Sequence, residues 1–212
     1  MADVSLAQVQ DWLVRAKDSV TEQRSYLTEL DSAIGDADHG SNLTRGFGAV
    51  VDKLASQPAA SIEALLKASG MTLVSTVGGA SGPLYGTMLL RMGKAVGDAD
   101  TMTATQLGEA LRAGLEGVVA RGKAEPGDKT MVDALGPAVE AFEKALTSGE
   151  GAATAATAAA QAAAAGRDDT EPLVARKGRA SYLGERSAGH IDPGSASVTL
   201  LLEALAAALA DG

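Results

Sequence analysis

The chain has 212 residues, 46% of them apolar and 21% charged, which is enough for a sizeable core and inconsistent with global disorder. A formal net charge of −9 disfavours nucleic acid as a partner, and the absence of cysteine excludes disulfides, thiolate catalysis and Cys-based zinc sites. Aromatic residues make up only 3% and alanine is abundant, which favours closely packed helices over a sandwich of strands.

In chain order, residues 5–20 place Leu6, Val9, Leu13 and Val20 on one helical face, with Trp12 beside them. The N-terminal stretch lacks the basic segment and apolar run of a signal peptide. No uninterrupted apolar span reaches transmembrane length, so the expected setting is the cytoplasm, with no membrane partner. A second helix is predicted over 21–34, capped by Thr21, with Glu22 in its first turn and Gly35 at its end. A third, over 42–56, stops before Pro58, and a fourth, over 61–77, is capped by Ser61. After a glycine-rich stretch at 78–86 a helix resumes over 87–96. Residues 103–122 align Leu107, Leu111, Leu115 and Val118, and the helix over 130–148 is expected to bend near Pro137. The low-complexity stretch 152–166 reads as packed helix because of alanine's propensity, and an apolar helix over 195–210 closes the chain. No convincing alternating strand is present. Eight or nine helices with short connections imply an all-α bundle or a closed helical barrel. Residues 171–194 form the longest irregular segment, and a compact domain seldom keeps such a loop without using it.

The stretch LDSAIGDADHG, residues 30–40, crowds Asp31, Asp36 and Asp38 together. Asp31 falls in the last turn of a predicted helix, where the macrodipole disfavours a carboxylate. If the following turn is extended, Asp36 and Asp38 aim to one side and converge with Asp31. Three readings remain open: a solvated turn, a hard-cation site for Mg²⁺ or Ca²⁺, or a general acid/base pair. The spacing is not that of an EF-hand, and so few protein oxygens leave room for water and phosphate on a Mg²⁺ ion. His39 alone is equally compatible with a surface hydrogen-bonding role.

Two stretches suit phosphate. VGGASGPLYGT, between two predicted helices, and HGSN, directly after the aspartates, both lead into helix N-termini through small residues. Tight helix packing through small residues is the alternative explanation of the same glycines. GKAEPGDKT, residues 122–130, imitates a P-loop, but Asp128 separates Gly127 from Lys129 and no strand precedes it. No G-x-S-x-G elbow supports a serine hydrolase. Arg176, Lys177, Arg179 and Arg186 cluster in the long loop of an otherwise acidic chain, which suggests an anion contact there.

Four segments taken together, LDSAIGDADHG, TVGGASGPLYG, RGKAEPGDKTMVDAL and ARKGRASYLGERSAGHIDPGSAS, resemble the nucleotide-binding L subunit of dihydroxyacetone kinase, in order and over nearly the whole chain. The resemblance implies a single domain over 1–212, a closed barrel of about eight antiparallel amphipathic helices with ADP or ATP at one end. It implies that Asp31, Asp36 and Asp38 hold two Mg²⁺ ions against the phosphates. His39, Gly40, Ser41 and Asn42 match the phosphate-side loop, and Ala80 and Ser81 match the second glycine-rich loop. Gly122 and Met131 fall near the base, while Arg179, Asp192, Pro193 and Gly194 match the closing loop. Arg179 is the candidate for catalytic charge stabilisation, and His39 for orienting phosphates. The implied partners are a K subunit that holds dihydroxyacetone and, in the branch whose motifs match more closely, a phosphotransferase-system M subunit that rephosphorylates ADP in place. The alternative is an ATP-dependent subunit acting on dihydroxyacetone or a related ketose such as erythrulose.

Overall fold

The computed structural model describes residues 3–211. The domain expected over 1–212 therefore has residues 1, 2 and 212 outside the described residues. Among the described residues the helices are α1 (Leu6–Glu22), α2 (Arg24–Ile34), α3 (His39–Ser56), α4 (Ile62–Thr76) and α5 (Ser81–Val96). They continue with α6 (Ala104–Gly122), α7 (Val132–Thr147), α8 (Ala152–Asp168) and α9 (Pro193–Ala210), with a 3-10 segment over Arg179–Ser187.

Four helices, α1, α4, α6 and α9, begin where the side chain of the N-cap residue satisfies a first-turn N–H group. Ser5 with Gln8 and Thr103 with Gln106 form reciprocal capping boxes for α1 and α6. Ser61 accepts the Ala64 N–H at 3.2 Å, as expected, and Asp192 accepts that of Ser195 at 2.6 Å, with Pro193 opening α9. Thr21 caps nothing. The buried face of α1 runs on to Val20, the Thr21 hydroxyl donates to the Lys17 carbonyl, and α2 starts three residues later, so Glu22 ends one helix rather than opening the next.

Eight of the nine helices close a ring. α1 touches α3, α3 touches α4, the succession continues pairwise from α4 to α9, and α9 returns to α1. The four residues between α4 and α5 force those neighbours to run antiparallel. α2 lies across one end, against α3, α9 and the 3-10 segment. The interior is filled by the chain's own side chains: Trp12, Leu13, Leu27, Leu43, Phe47 and Tyr85 are fully buried in one continuous apolar cluster. Phe47 meets Tyr85 edge to face, with centroids 6.3 Å apart. The alanine-rich stretch is α8, whose Ala155, Ala156, Ala159 and Ala163 pack into the ring. Pro137 lies inside α7.

Four further expectations need correction. α5 begins at Ser81, six residues before Thr87, because Pro83 sits in its first turn, where a missing N–H costs nothing, and its glycines serve packing rather than a loop. Gly70 of α4 and Gly86 of α5 approach so closely that a Cβ on either would lie 2.7 Å from the other's carbonyl oxygen. α3 likewise starts at His39 rather than Asn42. A two-residue antiparallel ladder exists, β1 (Val4–Ser5) with β2 (Thr101–Met102), too short to leave an alternating pattern. Finally, α9 is 18 residues long with a mean hydropathy of 1.5, long and apolar enough by composition to cross a membrane although Glu203 interrupts its apolar run. It is 61% buried and packs against α1, α7 and α8, which accounts for its composition as a core helix.

Candidate functional site

Asp31 lies in the last turn of α2 with its carboxylate turned to the start of α3. One of its oxygens accepts the N–H groups of Asp38 and His39, at 2.9 and 3.1 Å. The α3 macrodipole thus offsets the unfavourable place at the end of α2. Gly35 makes this possible, since a Cβ there would collide with the Asp31 carboxylate. Asp38 occupies the N-cap position of α3 yet its side chain caps nothing, because Asp31 has taken that role. The turn is not extended: Ala37 adopts a left-handed conformation, φ 61°, and this brings Asp36 and Asp38 round to Asp31. Such strain in a residue with a Cβ is characteristic of sites that hold a fixed geometry. One carboxylate oxygen from each aspartate lies within 4.8 Å of the others. Three hard anionic oxygens, one of them oriented by backbone donors, fit Mg²⁺ or Ca²⁺.

The aspartates stand at the mouth of a cavity of about 200 Å³, bounded by the N-termini of α3, α5 and α9 and by the loop at 177–180. His39, Ala80, Ser81, Met131, Arg179, Asp192, Pro193 and Gly194 all line it. Three helix N-termini around one cavity favour an anion. A neighbouring apolar cavity of about 350 Å³ shares Ala80, Leu84 and Met131 with the first and adds Pro83, Val118 and Gly122. Polar and apolar spaces side by side match a ligand with an anionic and a flat apolar part. Gly40, Ser41 and Asn42 do not line either cavity. The first turn of α3 aims Gly40 at α2, Ser41 at Arg24 on the outer face, and the Asn42 side-chain Oδ1 at Arg45, which donates to it at 2.6 Å.

His39 is buried between two hydroxyls, its Nε2 2.8 Å from Ser197 Oγ and its Nδ1 3.2 Å from Ser81 Oγ. Burial lowers its imidazole below the ordinary value, outweighing the nearby aspartates and the Pro193 carbonyl, which favour the charged form. Burial pushes the Asp192 carboxyl up to about 7, against the Ser195 N–H. Arg179 is 68% exposed along its side chain and pairs with Asp36 at 3.0 Å. A small apolar cluster of Ile34, Ala175, Ala180 and Leu183 holds that loop against the end of α2.

Several site residues escape sequence reasoning. Lys129, only 1% exposed and with φ 62°, donates to the carbonyls of Thr170, Leu173 and Glu171 at 2.9 to 3.2 Å. It braces the loop before α7 to the segment after α8, so the lysine of the P-loop lookalike serves the fold rather than a phosphate. Thr130 and Leu84 line both cavities, as does Lys177, one of the loop cations expected to meet an anion. Tyr85 was hidden among glycines and Ser197 within an apolar helix; only their bond to one another, 2.7 Å, reveals them.

The sequence profile of the family described as the DAK2 domain matches residues 33–207. The chain is 46% identical over 205 residues to the ADP-binding subunit of the PEP-dependent dihydroxyacetone kinase of Escherichia coli K12, covering 97% of this chain and 98% of that one. It is 35% identical to an L-erythrulose kinase of Pectobacterium atrosepticum, covering 92% of this chain but 33% of that enzyme. Among solved structures, the dihydroxyacetone kinase of C. freundii in complex with AMP-PNP and Mg²⁺ superposes with a TM-score of 0.74 at 26% identity. That match covers 98% of this chain and 35% of the longer one, so the chain spans about a third of that kinase.

Proposed function

The chain belongs to the DAK2 domain family, and on that premise we propose that it is the ADP- and Mg²⁺-binding subunit of a dihydroxyacetone kinase. In this reading it is one nucleotide-binding domain over 1–212, working in the cytoplasm. It delivers a phosphoryl group from the nucleotide to dihydroxyacetone held on a separate K subunit, and a phosphotransferase-system M subunit rephosphorylates the ADP in place. The observation that carries this reading is the convergence of Asp31, Asp36 and Asp38 at the mouth of a cavity ringed by helix N-termini. The likeness to the E. coli ADP-binding subunit supports it.

Asp31, Asp36 and Asp38 would hold two Mg²⁺ ions, which when bound neutralise phosphate charge and polarise the transferring group. The protein's own work is then positioning. His39, neutral and fixed by two hydroxyls, borders the phosphates without acting as base or phosphocarrier. Ala80 and Ser81 at the start of α5, and Pro193 and Gly194 at the start of α9, bring backbone close to the anion. Gly122 and Met131 flank the base, with Leu84 and Val118 excluding water from it. Gly40, Ser41 and Asn42 contribute through the α3 N-terminus rather than through their side chains. Arg179, exposed and beside Asp36, would add positive charge to the transition state.

A second reading, an ATP-dependent ketose kinase with exchangeable nucleotide, is favoured by the likeness to erythrulose kinases, at lower identity. Gentle purification in Mg²⁺, identification of the bound nucleotide and its exchange with labelled ADP separate the two. Retained, slowly exchanging ADP supports the coenzyme role. Rapid exchange, with activity on ATP and the K subunit alone, supports the second reading, and no adenine nucleotide binding defeats both.

A further inference from the structure

The Lys129 ammonium carries three protons and meets three carbonyls, those of Thr170, Leu173 and Glu171, at 2.9, 3.0 and 3.2 Å. With every proton spent, this buried side chain acts at the site only through the backbone it holds. Asp128 holds the same segment further along, its carbonyl accepting the Arg176 N–H at 3.0 Å. Residues 170–176 are thus clamped to residues 128–129 by four hydrogen bonds. The clamping loop is itself stiffened: the Asp128 carboxylate accepts the Glu125 N–H at 2.8 Å, and that of Asp133 accepts those of Gly127 and Thr130. These bonds keep Lys129 at φ 62°, a conformation that a residue with a Cβ holds only when its surroundings impose it.

What lies next to the clamp gives it a use. Thr130 and Met131 follow Lys129, Lys177 and Gly178 follow Arg176, and all four border both the polar and the apolar cavity. With Ala80 and Leu84 of α5 they make up the boundary that the two cavities share. A ligand that fills both cavities must pass between these stretches, and the clamp sets how far apart they stand. Thr170 carries the clamp to a further element, since its hydroxyl accepts the Asp192 N–H at 3.0 Å, at the N-cap of α9.

We propose that Lys129 and Thr170 are positioning residues that set the passage between the polar and apolar cavities, and so determine affinity for a ligand that occupies both. This rests on the reading that a nucleotide lies with its phosphates in one cavity and its base in the other, but the clamp is a property of the chain alone. Without it, residues 170–178 sample positions away from residues 130–131, and a ligand must select the closed one. A closed population of about one tenth lowers the apparent affinity about tenfold.

Lys129→Met keeps the length of the side chain and removes all three donors. In the ligand-free variant, amide hydrogen exchange at Arg176 should quicken about tenfold or more, because local opening no longer breaks the lysine bonds. Calorimetry should show Mg²⁺-ADP bound about tenfold more weakly. Mn²⁺ added alone should bind as in the parent, since Asp31, Asp36 and Asp38 lie at the α2–α3 turn, outside the clamp. Thr170→Val, a second variant should the first fail to fold, should also lose ADP affinity, and Thr170→Ser, which keeps the hydroxyl, should retain it. The double variant Lys129→Met/Thr170→Val should bind ADP no worse than Lys129→Met, because both act through one clamp. Unchanged ADP affinity in the folded variants, equal losses for ADP and Mn²⁺, or a Thr170→Ser as weak as Thr170→Val overturns the proposal. Unchanged exchange at Arg176 in Lys129→Met overturns the clamp whatever the ligand. A parent that binds Mn²⁺ but no ADP instead removes the nucleotide reading beneath it.

Discussion

At the residue scale the site depends on a few atoms whose placement can be tested singly. Gly35→Ala would drive a methyl group into the Asp31 carboxylate, which also satisfies the start of α3. The expected outcome is at least a tenfold loss of Mn²⁺ or Mg²⁺ affinity by calorimetry, since a misplaced ligand forfeits more than 1.4 kcal/mol. Unchanged affinity would mean that Asp31 is not a ligand. Arg179→Ala should lower the rate of phosphoryl transfer more than it weakens ADP binding, because an exposed guanidinium gains most when charge develops; equal effects would reduce it to a ground-state contact. Asp192 bears on stability. Its carboxyl titrates at about 7 when folded, against ~3.9 for a free aspartate, so the folded state holds the proton more tightly and this group's contribution falls as pH rises between those values. Thermal melts of Asp192→Asn should gain on the parent steadily from about pH 4 to about pH 7, and parallel curves would show that Asp192 titrates normally. The sequence makes the cluster of three aspartates legible, with a hard-cation site as one of three readings of it. It does not reveal that Asp31 caps a helix other than its own, because that bond crosses the Ala37 turn, a left-handed residue that no local pattern announces.

At the scale of elements, what was legible follows from periodicity and capping, and what was missed follows from small residues with two meanings. The Ser61 cap, the stop before Pro58 and the alanine-rich α8 all appear as the sequence suggests. The start of α5 does not, because Gly82, Pro83 and Gly86 carry the signature of a loop while serving a close helix crossing. That placement matters to function: starting at Ser81, α5 delivers its N-terminus to the cavity, and a helix from Thr87 would not. The crossing predicts that Gly86→Ala forces α4 and α5 apart despite alanine's better helix propensity. The cost should be about 1–3 kcal/mol, read as a fall of roughly 2–12 °C in melting temperature at 2–4 °C per kcal/mol. A stabilised variant would mean that the glycine is there for flexibility rather than for contact. Lys129 teaches the same lesson in the loop before α7, where a motif resembling phosphate recognition proves to be a brace between two backbone segments.

At the scale of the whole molecule, the ring of helices closes on its own packing. Its core is filled by its own side chains, and the unmet electrostatic demand is gathered at one end, where three carboxylates meet in a chain of net charge −9. The Arg179–Asp36 pair relieves little of it, since a surface ion pair is worth at most ~1 kcal/mol. A cation and a nucleotide bound there act on the folded state alone, because α2, α3, α5 and α9 must all be in place to form the cavity. Linkage then sets the size of the effect: ligand at about a hundred times its dissociation constant adds about 2.7 kcal/mol. For a chain of this length that amounts to a rise of about 5–10 °C in melting temperature. Adding EDTA to protein purified with Mg²⁺ and ADP should reverse it and release the nucleotide. Asp36→Asn should retain its fold but show a much smaller response to EDTA, since one of the charges that the metal neutralises is already gone. An unchanged melting temperature with nucleotide retained would mean that the aspartates do not hold a metal against it. A fall in melting temperature with the nucleotide still bound would separate the two sites, leaving the metal as a support for the α2–α3 turn and the helix N-termini as sufficient for the phosphates.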